Sequence, residues 1–495
     1  MVTIGDLIRP DRFFDRRQDL ESLESLWRRK GAGMMAMVYG RRRLGKTFML
    51  QKFLSDRAED APGTTSHCYY LADQSTSEVQ RFALASRLLA ALPSESLSAA
   101  DIAVSWNALL HYFSSSVAKR RGKGRTALVL DEFPNAVAQS PELPSVLQAW
   151  WDQEGVHLPV FVILCGSQLS VMAALGNESA PLFGRFNAGA RRLEPMRYDD
   201  VAEFYRHAPR FGTREKLFMY GALGGTPRYH AMVDENAEWD DELVNLLMRP
   251  GAPLENEVRF LLSSEQVRDP APHNSILWAI AHGRTKYGEI GNATGIDHAA
   301  LAYPLRVLQE LDWVRKEHPY GEKSEKRALY RIGDPFLSFW YRFVAPNGSA
   351  LQFDDPRRVF RDRVAPYLSD YMGWAVFEGV CAQWLKRRAR EELGICLLDL
   401  GRYWNRDGTN EIDLVGRLDR GNMLFGECKW SENREVGLDT YIDLRTKVAA
   451  LPERHWAEGA VYVLFALGGF TESLMNLAKS ESNLHLIDGS RLFDF

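Results

Sequence analysis

The stretch MMAMVYGRRRLGKT, residues 34–47, decides the fold. Residues 34–39 are an unbroken apolar run, as expected of a strand covered on both faces. Residues 40–47 fit the spacing G-x-x-x-x-G-K-S/T, and a helical pattern follows at once. The chemistry needs that spacing. Gly40 and Gly45 let backbone N–H groups turn inward around phosphates, with Arg41, Arg42, Arg43 and Leu44 completing the cradle. Lys46 reaches the β- and γ-phosphates, and the Thr47 hydroxyl ligates Mg²⁺. The helix opening at Lys46 adds its positive N-terminal end. ATP and Mg²⁺ are therefore the expected cofactors. A plain glycine-containing strand–helix turn is the bland alternative, and the strand-before, helix-after context argues against it.

A second strand, TALVL at 126–130, ends in Asp131-Glu132. A carboxylate at the tip of a buried strand can hold Mg²⁺ through water, and Glu132 beside it can polarise the attacking water. An acidic helix cap is the other reading of this pair. A third apolar strand near 160–164 runs into CGSQ, where Ser167 is a candidate γ-phosphate sensor or else a turn serine. Arg185, in PLFGRF, is a candidate arginine finger or else a solvated arginine.

The remaining composition sets limits. With 495 residues, 45% hydrophobic and 25% charged, the chain is of ordinary globular make-up, long enough for several domains. A net charge of −4 confines any nucleic-acid surface to a local patch. The five cysteines, Cys68, Cys165, Cys381, Cys396 and Cys428, form no C-x-x-C pair, which fits a reducing cytosol rather than a disulfide framework or zinc ribbon. The N-terminal segment has no apolar core of a signal peptide, and no apolar run spans a bilayer. A cytoplasmic protein without a membrane partner is expected.

Along the chain, residues 1–192 alternate strands and helices and read as the P-loop domain. Residues 193–265 read as helices only, a lid packed on it. Residues 266–343 read as a winged helix: helices near 275–281, 287–294 and 298–311, then strands near 313–316 and 328–332 around a polar wing. Gly295 supplies the turn, and the third helix buries Leu301, Leu305, Leu308 and Leu311 while exposing His298, Tyr303, Arg306 and Gln309. That face either meets a DNA groove or belongs to a scaffold joining two domains. Residues 344–367 read as a linker, and 368–495 return to α/β order.

The C-terminal part carries a second constellation. EIDLVGRLDRGNMLFGECK, residues 411–429, reads as a hairpin with the three-residue loop Asp419-Arg420-Gly421. Leu418 then faces Asn422, and Asp413 faces Glu427. Opposed carboxylates lie about 4.5–5.5 Å apart at Cβ and repel, unless a divalent cation turns the repulsion into a site. Strand alternation puts Lys429 on the face of Glu427. Asp413 and Glu427 would hold Mg²⁺, and Lys429 would orient water and offset transition-state charge. Glu378 falls inside the apolar stripe Trp374, Phe377, Cys381, Trp384 and Leu385, so it points inward. A two-residue loop would instead face Asp413 with Cys428. Cross-strand ion pairs in a binding domain are the other reading.

Two resemblances follow. The set FFDRRQDL (13–20), the P-loop, LDEF (130–133), CGSQ (165–168), FGR (183–185) and GGTPRY (224–229) resembles archaeal-type STAND/AAA+ P-loop ATPases, which also occur in bacteria. Where that family usually has Asn-Arg-Glu this chain has Asp15-Arg16-Arg17, which weakens any role carried over to residue 17; Arg228 is a weaker nucleotide-sensing candidate. Helix-Glu, strand-Asp, strand-Glu-x-Lys resembles the PD-(D/E)xK nuclease-like core. The implied fold is α/β: an AAA+-like parallel-sheet domain with a helical lid, a winged helix and a restriction-endonuclease-like C-terminal domain. The implied function is an ATP-hydrolysing protein that regulates a Mg²⁺-dependent nucleic-acid-processing site. DNA is expected before RNA, with homo-oligomers formed through the ATPase domain. An ATP-driven signalling switch that binds without cutting, and a winged-helix DNA-binding regulator, are the alternatives.

Overall fold

Apolar runs flanked by amphipathic helices bury both faces only as a covered parallel sheet, and the computed structural model has that arrangement. It describes residues 16–29, 31, 33–60, 66–120, 124–265, 269–322 and 324–493. The resemblance at Phe13, Phe14 and Asp15, and Lys323 of the wing, lie outside them. Packing divides the chain after Glu194 into two units, each described by itself.

In the first unit, strands β1 (Met34–Tyr39), β2 (Ser66–Leu71), β3 (Thr126–Asp131), β4 (Val160–Gly166) and β5 (Ala190–Arg192) form one sheet in the order β2-β3-β4-β1-β5. All its pairs are parallel. Alternate residues feed two cores. Met35 and Met37 join Leu128, Leu130, Val162 and Leu164 on one face. Met34, Ala36 and Val38 join Val129, Phe161 and Ile163 under the helix Lys46–Asp60 on the other. Strand β2 begins Ser66-His67, and β5 has only three residues, so neither shows the continuous apolar run that reveals the others.

The second unit holds two sheets. Strands β6 (Val314–Glu317) and β7 (Leu329–Ile332) pair antiparallel, after helices Pro270–Ala281, Tyr287–Thr294 and His298–Glu310. Gly295 ends the middle helix at φ 68°, and Leu301, Leu305, Leu308 and Leu311 are buried. His298, Tyr303 and Arg306 are exposed, whereas Gln309 is half-buried and donates to Leu305 O. Strands β8 (Leu397–Trp404), β9 (Glu411–Leu418), β10 (Met423–Lys429), β11 (Val461–Ala466) and β12 (Leu484–Asp488) form a mixed sheet in the order β12-β11-β10-β9-β8.

Two segments of the expected domain organisation have the following surroundings. The helical segment read as a lid on the P-loop domain packs with the C-terminal residues. Asp199 and Asp200 pair with Arg387 at 2.6 and 2.7 Å, Tyr198 donates to Leu492 O, and the Phe218 ring meets Trp430. Its helices are apolar on more than one side, with Leu217 to Leu223 all buried in the run Thr213–Leu223. The segment 344–367, read as a linker, is helical. It contains helices Gly348–Leu351 and Pro356–Arg363 and buries Leu351, Val359, Phe360 and Val364. Its prolines stand in the first turns of helices, where no N–H is needed.

The wing is engaged rather than free. Between β6 and β7, the Tyr320 N–H donates to Arg402 O at 2.7 Å, and the Tyr320 hydroxyl donates to Asp399. Arg327 donates to Trp404 O, and Trp404 Nε1 returns a bond to Arg327 O. The wing thus covers the outer edge of β8, an edge strand that would otherwise present unpaired backbone groups.

Candidate functional sites

The turn after β1 needs backbone that bends inward. Gly40 has φ 157°, and a Cβ there would stand 2.7 Å from Leu193 O; Gly45 has φ 86°. Arg43 adopts φ 68°, a strained conformation for a side-chain-bearing residue. Lys46 is buried and donates to Gly40 O and Arg41 O at 2.7 and 2.8 Å, so its ammonium lies over the loop. Arg16 donates to Leu44 O at 3.1 Å and holds the loop from the preceding helix.

The strands β1, β3 and β4 are parallel neighbours, so their C-terminal ends meet. Asp131, at the tip of β3, is fully buried. Its Oδ2 accepts from Thr47 Oγ1 at 2.7 Å and from the Tyr69 hydroxyl, and its Oδ1 accepts from the Glu132 N–H at 2.8 Å. The Thr47–Asp131 hydrogen bond joins the two groups that would hold Mg²⁺, the Thr47 hydroxyl directly and Asp131 through water. Tyr69, from the edge strand β2, is a member of this site that the sequence reading missed. Its hydroxyl is pushed up, by burial first and then by Asp131.

Glu132 takes a left-handed φ of 49° and caps the helix Phe133–Gln139 through its backbone, with no side-chain cap bond. Its carboxylate turns instead to Ser167, accepting from Oγ at 2.8 Å and from the N–H at 3.3 Å. Arg42 Nε stands 3.4 Å from the same Ser167 Oγ. Ser167 is therefore a partner of Glu132 in this structure.

Arg185 sits elsewhere. It pairs with Asp152 at 2.8 Å and donates to Phe183 O. Asn187, two residues on, bonds Met35 N and Gly33 O, at the start of β1. The expected finger thus lies at the end of the sheet opposite the loop that follows Tyr39, and it does not line its own chain's nucleotide loop.

In the second unit the hairpin has the three-residue loop. Gly421 has φ 86°, Leu418 N donates to Asn422 O, and the pairs run Met423↔Arg417 through Gly426↔Leu414. Continued by one residue, this register sets Asp413 opposite Glu427. Asp413 Oδ2 accepts from the Cys428 N–H at 2.9 Å. Its carboxyl is pushed up to about 7, by burial and then by the negative charges of Glu427 and Glu378. Glu427 is buried and takes Lys429 Nζ at 2.7 Å and Lys447 Nζ at 3.2 Å.

Glu378 points inward as its stripe requires, but cations of its own chain hold it. Arg331 of β7 and Arg402 of β8 contact its carboxylate at 2.9 and 3.2 Å. Among the described residues, no group of three or more His, Cys, Asp or Glu side chains is close enough to share a metal. The convergence of Glu378 with Asp413, Glu427 and Lys429 on one ion is thus not seen. Mg²⁺ is commonly held by one or two carboxylates and keeps several waters, so Asp413 and Glu427 are the residues that would hold one here. The Asp413 carboxyl is raised by burial first and by neighbouring negative charge second, and a bound cation would oppose both. Lys447, Arg402 and Arg331 were not found from sequence. Lys447 follows buried Leu444 by three positions on the helix Leu438–Ala449, a spacing that could have marked it.

All five cysteines are free, and no described helix is long and apolar enough to cross a membrane. Residues 13–233 match an ATPase domain predominantly from Archaea. Residues 340–439 match a family of archaea bacterial proteins of unknown function. An uncharacterized protein of Methanocaldococcus jannaschii is 28% identical over 428 residues, covering 86% of this chain and 88% of that one. The Walker-type ATPase paby2304 of Pyrococcus abyssi is 19% identical, covering 68% of this chain and 97% of its own, with a TM-score of 0.49. A repair endonuclease from Pyrococcus abyssi is 22% identical over 22% of this chain and 46% of its own, with a TM-score of 0.17. The chain thus joins a P-loop ATPase-like parallel-sheet domain, within a match at residues 13–233, to a separate C-terminal sheet domain that overlaps the match to a family of unknown function.

Proposed function

We propose that this protein hydrolyses ATP with Mg²⁺ and uses the nucleotide state to control a metal-dependent, nuclease-like centre in its C-terminal domain. In the first site, Lys46 and the N–H groups of residues 40–47 bind phosphates, and Thr47 and Asp131 hold Mg²⁺. Glu132 orients and deprotonates the attacking water, and Ser167 sets where its carboxylate points. Mg²⁺ supplies charge neutralisation at the phosphates. Arg185, far from its own loop, acts only on the nucleotide of a neighbouring copy, which would require a homo-oligomer.

The observation that supports the second site is the hairpin register from Met423↔Arg417 to Gly426↔Leu414, which extended by one residue sets Asp413 opposite Glu427, the partner of Lys429. Asp413 and Glu427 hold Mg²⁺, and Lys429 orients water toward a phosphodiester. Residues 266–343, with three helices and a two-stranded sheet, serve as a winged helix. The exposed third-helix face is the part left for DNA, because the wing is occupied by β8. The test is a nicking assay on DNA and RNA with Mg²⁺ or Mn²⁺, with and without ATP. Metal-dependent nicking lost in Asp413→Ala is expected, and metal-dependent nicking that survives in that variant refutes the assignment.

A second reading is a switch that binds a partner without cutting. It is favoured by the clamp of Arg331 and Arg402 on Glu378, which leaves two carboxylates rather than three. Purified protein that binds nucleic acid with ATP-dependent affinity but never nicks it would select that reading.

A further inference from the structure

The C-terminal site holds two lysines, and the proposed chemistry uses only one of them. Lys447 reaches across from the helix Leu438–Ala449 to the carboxylate that Lys429 already occupies. Its Nζ is 3.2 and 3.4 Å from the two Glu427 oxygens and 3.0 Å from Asp443 Oδ2. Its helix turn is fixed from the other side, because Asn410 Nδ2 donates to Lys447 O at 3.0 Å. The side chain is 24% exposed and Asp443 60%, so the ammonium lies between a buried carboxylate and solvent.

Charge decides what such a group is for. Glu378, Glu317, Arg331 and Arg402 form a set that is neutral within itself, with contacts of 2.9, 3.2 and 3.6 Å. Apart from Glu411, an exposed carboxylate that acts on Arg402, that leaves Asp413, Glu427, Asp443, Lys429 and Lys447. A divalent cation on Asp413 and Glu427 cancels both carboxylates and repels both ammonium groups. Asp443 then balances one lysine, and one positive charge remains without a counter-charge at the mouth of the site. A single phosphodiester carries the matching charge.

We infer that Lys447 is a phosphate-binding residue of the C-terminal site: it rests on Glu427 without metal and turns to a substrate phosphodiester when Glu427 takes the ion. The inference rests on the metal-site reading proposed above. It assigns the two lysines different work, with Lys429 at the water and Lys447 at the phosphate.

The experiment uses the full chain. Mn²⁺ binding is measured alone, and then affinity for fluorescein-labelled single-stranded DNA, duplex DNA and RNA is measured with Mn²⁺ across a salt series. Each measurement covers wild type, Lys447→Met, Lys447→Gln, Lys447→Arg and Asp413→Asn. Loss of one phosphate contact should lower the salt slope by about one and weaken binding to all sequences alike. A lost charge-assisted bond corresponds to an affinity about 10-fold lower or more. Lys447→Met and Lys447→Gln should show both effects with Mn²⁺ affinity kept or tightened, and Lys447→Arg should restore the slope. The polymer that loses affinity identifies the substrate as DNA or RNA. An unchanged slope and affinity in both neutral variants would overturn the inference alone. So would Mn²⁺ binding lost in them as it is in Asp413→Asn, since Lys447 would then only prop Glu427. Equal Mn²⁺ stoichiometry in wild type and Asp413→Asn would instead remove the metal-site reading, and this inference with it.

Discussion

The two sites bring carboxylates together by opposite means. In the P-loop unit, Asp131 and Glu132 accept from neutral donors: the Thr47, Tyr69 and Ser167 hydroxyls and the backbone N–H groups of Glu132 and Ser167. In the C-terminal unit, Glu427 and Glu378 are matched by cations of the same chain: Lys429, Lys447, Arg331 and Arg402. Neutral donors orient a carboxylate while leaving its charge for an ion. Cations satisfy the charge and compete with an ion. On the function proposed above, the first site would be ready for Mg²⁺, and the second would have to exchange partners before it could bind metal.

The comparison can be broken at several points. The largest effect on ATP binding should come from Lys46→Ala. Losing the ammonium that faces the phosphates should weaken ATP binding about 100-fold or more, in line with several lost charge-assisted contacts. Binding of a fluorescent ATP analogue checks this, and affinity within a few-fold of wild type would remove Lys46 from the phosphate site. Next, Glu132→Gln should keep ATP affinity and lower turnover about 10²–10⁴-fold, the usual range for a lost general base. Steady-state hydrolysis at the wild-type rate would take that role from Glu132.

In the second unit the sharpest contrast is Arg331→Met. Releasing one of two cations from Glu378 should raise Mn²⁺ affinity of the C-terminal site by about 5–10-fold, the value of one modest charge interaction. The same substitution should leave ATP affinity of a nucleotide site built on neutral donors unchanged. Calorimetry with Mn²⁺ and with ATP measures both, and no gain for Mn²⁺ would mean that the clamp does not compete with the ion.

A smaller effect concerns pH. The Asp413 carboxyl moves from 3.8 to about 7 on folding, so between those values the native state keeps a proton that the unfolded chain has released. Metal-free stability should therefore fall as pH rises through that window and then level off. Asp413→Asn, which cannot ionise, should lack this fall and be more stable than wild type at pH 8 by about 1–3 kcal/mol. Chemical denaturation in chelator at pH 5 and pH 8 tests the sign; parallel behaviour of the two proteins would rule out the raised carboxyl. The smallest change is expected for Tyr69→Phe. It removes one donor to Asp131 and should lower Mg²⁺-dependent hydrolysis by less than about 10-fold, consistent with one hydrogen bond to a charged group. A larger loss in the rate would give Tyr69 a direct part in the reaction.

What the sequence determined by itself was whatever short-range spacing can carry. The P-loop is contiguous, so strand, turn and helix follow from residues 34–60 alone. Asp131 is legible because it ends an apolar run. The Asp413–Glu427 register follows from one loop, because a strand period of two and the left-handed Gly421 leave a single face for Glu427 and Lys429. The inward direction of Glu378 is likewise legible from its helical stripe.

Only the tertiary structure decided which partner meets each charge. Tyr69 comes from an edge strand whose first residues, Ser66 and His67, are polar, and its neighbour β3 begins some sixty positions later. Lys447 is twenty positions from Glu427, and Arg331 is forty-seven from Glu378. Arg185 looked catalytic by motif, yet the chain runs to the far end of the sheet before β5, and Asp152 holds it there. The helices after Pro195 and the segment 344–367 carry apolar residues whose periodicity says that they are buried but not against what. Spacing along a chain encodes the direction of a side chain from its own strand or helix. It does not encode which distant strand, helix or cation packing brings to that side, and that pairing is set by the burial of whole elements against each other.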